Sequence, residues 1–389
     1  MKKTYKTLFL VCICLVAGFS FSSCQKAGTE LSELMIIQGI GIDETSGGYK
    51  VTVEILNNEQ SGSPGGDSGS EDKTKIYSAE GATVAEALRL LTTKSGNVPS
   101  FAHNRVIIIG EKTANRNIED IIDVFERDYD SRSSQLLCVA KKSTAEEIVR
   151  AKLLKDSVKS EILEDMLEEC YNQSLIPRVR IIDAVNYLKE ETSGLLLPAV
   201  KKEKNGENEN YVLEGCALFD LNGTFSKYID EYTSEGIAYL NNHIRRGIIT
   251  AELPNGNKGT FLINKGKTSY KIDHSDEGVK YTLKIKLSCD LDQVEGAEYF
   301  STDDGVIEAF EKAVAVTVAK KAENTLVVLK SEGGADVIRY GKQLRNSRND
   351  LYSYLKEDWE SAFSSAETNI IVDVRIRRIG EETFHSRKK

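Results

Sequence analysis

The residue in this chain best placed for covalent chemistry is Cys24. Lys2, Lys3 and Lys6 precede an apolar run from Leu8 to Phe21, and Phe21-Ser22-Ser23-Cys24 closes it. A basic start, a short apolar middle and small residues at the exit describe a secretory signal. A cysteine directly after the small pair reads as a bacterial lipobox. Its thiol takes a diacylglycerol and becomes the mature N-terminus. The competing reading is an ordinary secretory peptide with a chance cysteine. Each buried acyl methylene contributes ~0.8 kcal/mol and one chain alone binds marginally, so two or three chains are needed to hold a protein on a bilayer. No later segment approaches the ~20 apolar residues of a spanning helix. The expected body therefore lies on a membrane, outside the cytoplasm.

Other clusters have the residue types of catalytic sites but not the setting. Gly66-Asp67-Ser68-Gly69 resembles a serine-protease nucleophile turn, and Ser70-Glu71-Asp72-Lys73 fits Ser-x-x-Lys. Both need a serine fixed against an oriented base. Both fall in Gln60 to Lys75, a Gly-, Ser- and acid-rich run without a large apolar residue, expected as a mobile loop. Gly39-Ile40-Gly41 starts a dinucleotide fingerprint, but Glu44 occupies the third glycine position and a hairpin follows where the motif needs a helix. His103, His243, His274 and His385 show no helical metal spacing; His103, just before a buried strand, reads as a structural or capping histidine. Glu168-Glu169 and Asp303-Asp304 point in different directions on a helix and read as solvated or capping charges. Arg375, Arg377 and Arg378 read as charge protecting a solvated edge strand, an acidic partner being the alternative. No catalytic, cofactor-binding or metal-binding residue is assigned.

Of seven cysteines, Cys12 and Cys14 leave with the signal and Cys24 is the lipid site. Cys138, Cys170, Cys216 and Cys289 lack the paired spacing of structural zinc. They form either two disulfides, in one of three ways, or four small buried hydrophobes. Cys138 in Leu136–Ala140 and Cys216 in Gly215–Phe219 sit in apolar runs, which favours burial.

The chain has 389 residues and a formal net charge of −9; without the three signal lysines it is −12. That argues against nucleic acid, which needs a basic footprint, and against electrostatic adhesion to anionic lipid. It leaves the acyl anchor as the attachment.

The elements that position these residues follow from periodicity. Leu34 to Asp43 reads as a buried strand, paired through Gly47-Gly48 with Tyr49 to Ile55. Thr83–Lys94, Asn117–Arg127, Leu153–Tyr171 and Ile181–Leu188 read as helices, and Arg105–Gly110 and Gln135–Ala140 as strands. Ser143-Thr144-Ala145-Glu146 opens a further helix with a capping box. The polar run Lys201–Asn210 reads as a boundary. Tyr211–Phe219 and Thr224–Ile229 form a hairpin around Asn222-Gly223. Ser234–Asn242 is helical, and several strands run between Arg246 and Ser288. Asp303–Leu329 is a long helix with Ile307, Phe310, Val314 and Val318 on one stripe. Ala335–Asn346 and Leu355–Phe363 are shorter helices, and Ile370–Ile376 closes as a strand. The expectation is an α+β protein of mixed sheets flanked by helices, with three domains. The expected divisions are a signal at 1–23, an N-terminal α+β domain at 24–198, a small β-rich middle domain at 199–265, a C-terminal α+β domain at 266–380 and a polar tail at 381–389.

Several segments resemble the Ger(x)C family, the C subunits of spore germinant receptors, over nearly all of the mature chain. They are Gln38-Gly39-Ile40-Gly41-Ile42-Asp43, Gly81–Ala87, His103–Glu111, Asp336-Val337-Ile338-Arg339-Tyr340-Gly341, and the close through Trp359, Phe363 and Arg377-Arg378-Ile379-Gly380. The resemblance implies a non-enzymatic lipoprotein without cofactor, on the outer face of the inner spore membrane. It implies work with an A subunit, part of it soluble, and a transporter-like B subunit. The competing function is a solute-binding lipoprotein of an uptake system.

Overall fold

A computed structural model describes residues 33–57, 73–116, 118–127, 131–153, 157–254, 256–275, 278–295 and 304–379. The signal at 1–23, Cys24, the tail at 381–389 and most of the loop expected over Gln60–Lys75 lie outside these residues. The fold is α+β, with helices on two mixed sheets, as expected.

The larger sheet contains β1 (Leu34–Thr45), β2 (Gly48–Leu56), β3 (Thr74–Gly81), β4 (Val98–Ser100), β5 (Val106–Gly110), β6 (Leu136–Ala140), β7 (Leu195–Asn205), β8 (Asn208–Phe219) and β9 (Phe225–Ile229). Its order is β3-β2-β1-β5-β6-β7-β8-β9, with β4 beside β1. β1 and β2 form the anticipated hairpin, Ile42 opposite Val51. β1, β5, β6 and β7 run parallel, so each step needs a crossover. The crossovers put helices on both faces, which is why β5 and β6 are buried at every position. Val106 and Ile108 enter one hydrophobic core; Ile107 and Ile109 enter the other.

The smaller sheet is β10 (Ile248–Glu252), β11 (Lys258–Ser275), β12 (Gly278–Val294) and β13 (Glu367–Arg378), in that order. β12 and β13 are parallel and are joined through the long helix Asp304–Lys330. The helix buries Phe310, Val314 and Val318, while Ile307 is only half-buried. Phe310 meets Phe261 of β11 edge-on, with ring centroids 6.1 Å apart. The first of the two cores is continuous: Val106 of the large sheet and Leu283 of the small one belong to the same buried cluster. At the crossing of helices Glu231–Leu240 and Asp304–Lys330 a Cβ on Gly236 would stand 1.9 Å from Thr325 Oγ1, so glycine is required for the helices to close.

The differences from the sequence reading have physical causes. The joins expected at 198/199 and 265/266 both fall inside continuous strands, β7 and β11. The polar run Lys201–Asn210 is the tip of the β7–β8 hairpin, Asn205 facing Asn208 across Gly206 at φ 65°. Its charges pair across the strands, Lys202 with Glu209 at 2.9 Å and Lys201 with Glu214, so polarity here is solvated sheet. β3 was not anticipated; at this sheet edge only Thr74 and Ala79 are buried, which leaves no clean alternation. The capping box is made by Thr144 with Glu147, one residue later than expected. The helix expected from Leu153 spans Lys159–Asn172. The one expected over Ala335–Asn346 begins at Tyr340, because residues before it form a loop held by Asp336. The one expected over Leu355–Phe363 is split into Asn349–Leu355, a tight turn and Trp359–Ser365.

Candidate functional site

Among the described residues four carboxylates are buried. Glu190 pairs with Arg345 at 2.7 Å; the other three, Asp43, Glu54 and Asp336, each sit at a helix start. Asp43, at the end of β1, accepts from the Ala145 and Glu146 amides, both at 2.8 Å. Glu54 of β2 accepts from the Lys159 amide at 2.9 Å and from the amide and hydroxyl of Ser160 at 2.7 and 2.6 Å. Anions at helix N-termini are held by the unsatisfied amides and the dipole. Burial raises Asp43 above the usual carboxylate range, against the pull of its two amides.

This explains the spacing of Gln38–Asp43. A Cβ on Gly39 would stand 1.9 Å from Ser160 Oγ, and one on Gly41 3.1 Å from Ala145. A Cβ on Gly110 would stand 2.1 Å from Asp43 Oδ1. The glycines of the two most motif-like stretches therefore let two capped helices rest on bare backbone. The strand leads into the β2 hairpin, where a dinucleotide fingerprint leads into a helix.

Asp336 is the joint between the sheets. Its carboxylate accepts from the amides of Tyr340 at 3.0 Å and Gly341 at 2.9 Å, and from Trp359 Nε1 at 3.3 Å. Its backbone carbonyl accepts from Gly194, just ahead of β7, at 3.1 Å. Tyr340 stacks on Tyr281 of β12 at 3.9 Å. A Cβ on Gly341 would stand 2.1 Å from Thr192 Oγ1. Burial pushes Asp336 up to about 6, although all three donors pull it down. Beside this joint, a cavity of about 140 Å³ opens between Arg178, Asp183 and Tyr187 on one side and Asn241, His243 and Arg339 on the other. The Arg339 guanidinium lies 3.9 Å from the centre of the Tyr187 ring, and Arg339 itself has φ 60°. A rigid cation–π lid over a small space fits an internal brace better than a reaction chamber.

The structure scatters the titratable candidates. His103 is exposed, a correction to its reading as a capping or satisfied residue: Asn104 is the buried neighbour, donating to Gln135 Oε1 at 2.8 Å. His274 is exposed at the far end of β11, and His385 and Gly66–Lys73 lie outside the described residues, save Lys73. Among the described residues no three His, Cys, Asp or Glu side chains converge as a metal set. Cys138, Cys170, Cys216 and Cys289 are all free. Burial raises all four thiols, Cys216 and Cys289 to about 12, so they pack and do not act as nucleophiles. Arg375, Arg377 and Arg378 are exposed on β13, which is an edge strand. Asp43 and Asp336 stand inside the stretches that resemble the family, but nothing local marks them as buried, and Glu54 and Glu190 carry no signal of their own.

A family model described as Spore germination protein N-terminal domain matches residues 28–202, and one described as Spore germination B3/GerAC like, C-terminal, matches residues 214–380. Spore germination protein KC of Bacillus subtilis is 26% identical over 90% of this chain and 91% of its own length. Spore germination protein B3 of the same organism is 23% identical over 90% and 92%, and spore germination protein GerQC of Bacillus cereus is 23% identical over 80% and 84%. In fold, the chain is similar to the crystal structure of the GerBC protein, with a TM-score of 0.59, 21% identity, and coverage of 89% of this chain and 99% of that one.

Proposed function

The chain belongs to the Ger(x)C family of spore germination proteins, and from that premise we propose that it is the membrane-anchored lipoprotein subunit of a nutrient germinant receptor. The observation that carries this is the span of the match: the Asp336 joint and both sheets, save the tip of the β7–β8 hairpin at 203–213, fall within residues 28–202 and 214–380. The chain works by assembly with integral-membrane A and B subunits, in which surface complementarity replaces catalysis. An interface of standard size buries ~1,600 Å² in total, a small part of the 22526 Å² that the protein exposes.

Cys24, its thiol carrying a diacylglycerol, supplies the attachment on the outer face of the inner spore membrane. No helix among the described residues is long and apolar enough to cross a membrane, so nothing in that part of the chain competes with the lipid as a helical span. Cys24→Ala tests the reading. The variant is expected to leave the membrane fraction and to impair nutrient-triggered germination. A soluble variant that supports full germination would overturn the role of the anchor.

A further inference from the structure

The small sheet has one face on the core and one in water. Along β12, Tyr281, Leu283, Ile285, Leu287 and Cys289 are buried, so the alternate residues point the other way. Register places their neighbours on the same outer face. Lys286 lies between Lys267 of β11 and Asp373 of β13, Lys284 between Ser269 and Ile371, and Ser288 between Lys265 and Arg375. Two ion pairs close one end, Lys271 with Asp273 at 2.9 Å and Lys280 with Glu367 at 2.5 Å. That leaves Lys265, Lys267, Lys284, Lys286, Arg375 and Arg378 against Asp290 and Asp373. The face carries a net charge of +4 in a mature chain of −12.

Folding does not account for this arrangement. Lys267 stands directly opposite Lys286, and like charges facing across a ladder are destabilising. Edge protection explains cations on β13, and Lys265 and Lys267 lie beyond the stretch of β11 that β10 covers, but Lys284 and Lys286 are on β12, which is paired on both sides. Among the described residues, none of Lys265, Lys267, Lys284, Lys286 and Arg375 has a carboxylate partner within ion-pair distance.

We propose that this face docks on a bilayer rich in anionic phospholipid. The occupant follows from charge and shape. The cations are mostly lysines on a flat, open sheet, and lysine is depleted from the cores of protein–protein interfaces, where aromatic residues are enriched. Clustered lysines are the signature of attraction to an anionic lipid surface. Ile371, 44% exposed among them, supplies an apolar contact at headgroup depth. The net acidity that argued against lipid adhesion is a whole-chain sum; the charge is segregated. The proposal shares the membrane setting of the proposed function but does not need Cys24.

The test uses the chain from residue 25, which keeps every described element, in flotation with vesicles of phosphatidylcholine alone or mixed with phosphatidylglycerol. Binding is expected only with the anionic lipid, weakening as salt is raised. Each lysine at the surface contributes roughly fivefold to partitioning, so removing three costs roughly a hundredfold, and Lys267→Glu/Lys284→Glu/Lys286→Glu, which also adds repulsion, should lose at least that. Reversing Lys94, Lys112 and Lys152, exposed elsewhere, is expected to change little. Circular dichroism checks both folds, and Lys→Gln at the same three positions replaces the reversal if it unfolds. No binding, equal binding to neutral vesicles, or unaltered binding by the sheet variant would overturn the proposal. Loss of the Cys24 anchor leaves this readout untouched, so the two readings fail separately.

Discussion

Asp336→Asn should change how stability depends on pH, by an amount the geometry sets. The Asp336 carboxyl is buried and accepts from Tyr340, Gly341 and Trp359, yet burial wins and raises it from 3.8 to about 6. A raised acid means that the folded state holds its proton where the unfolded chain has lost it. Stability from this group is fully present below the unfolded value of 3.8 and is lost as pH rises through the folded value of about 6. Two units at ~1.4 kcal/mol each give about 3 kcal/mol. Asparagine does not titrate, so the stability difference between wild type and variant should fall by about 3 kcal/mol from pH ~3 to ~7. Groups shared by both proteins, such as Glu214 held at about 2 by Lys141 and Lys201, cancel in that difference. The chain has one tryptophan, and it donates to this carboxylate, so urea unfolding followed by Trp359 fluorescence reads the joint itself. A flat difference would show that the three donors offset burial. A difference that rises with pH would show that they exceed it, and the description of the joint would be wrong.

Other outcomes follow from the same contacts. Glu54→Gln leaves buried donors at Lys159 and Ser160 without a charged acceptor and should cost about 2–4 kcal/mol, with hydrogen exchange accelerating first in helix Lys159–Asn172. Gly39→Ala drives a methyl into Ser160 and should cost about 1–3 kcal/mol in chemical denaturation; a wild-type midpoint would show that the helix is free to retreat. In the folded chain from residue 25, an aromatic disulfide reagent should label Cys170, which is half-buried, far faster than Cys138, Cys216 or Cys289, and all four on unfolding. Rapid native labelling of Cys138 would contradict its place in β6.

Much of the fold was legible because the local patterns were strong. Val106–Gly110 is apolar throughout and is buried on both faces; Ile118, Ile121, Ile122 and Phe125 share a stripe, and that stripe is buried. What failed depended on partners far along the chain. β3 is defined by its pairing with β2, and Lys201–Asn210 is strand because lysines meet glutamates across the hairpin. Asp336 ends a helical reading because its carboxylate binds amides four and five residues ahead. The sheet face was illegible for the same reason. Alternation along β12 alone puts Lys284 and Lys286 on one side, but Lys265, Lys267 and Arg375 join them only through register. Cys24 was legible as chemistry from flanking residues alone, and it lies outside the described residues.

The central claim is that this chain is an anchored receptor component. Affinity isolation of the full-length protein from detergent-solubilised spore membranes addresses it most directly. The account predicts recovery of an amino terminus at Cys24 bearing acyl chains, together with a multi-spanning transporter-like subunit and a partly soluble membrane subunit. Recovery of the protein alone, with an unmodified terminus and from the soluble fraction, would contradict it.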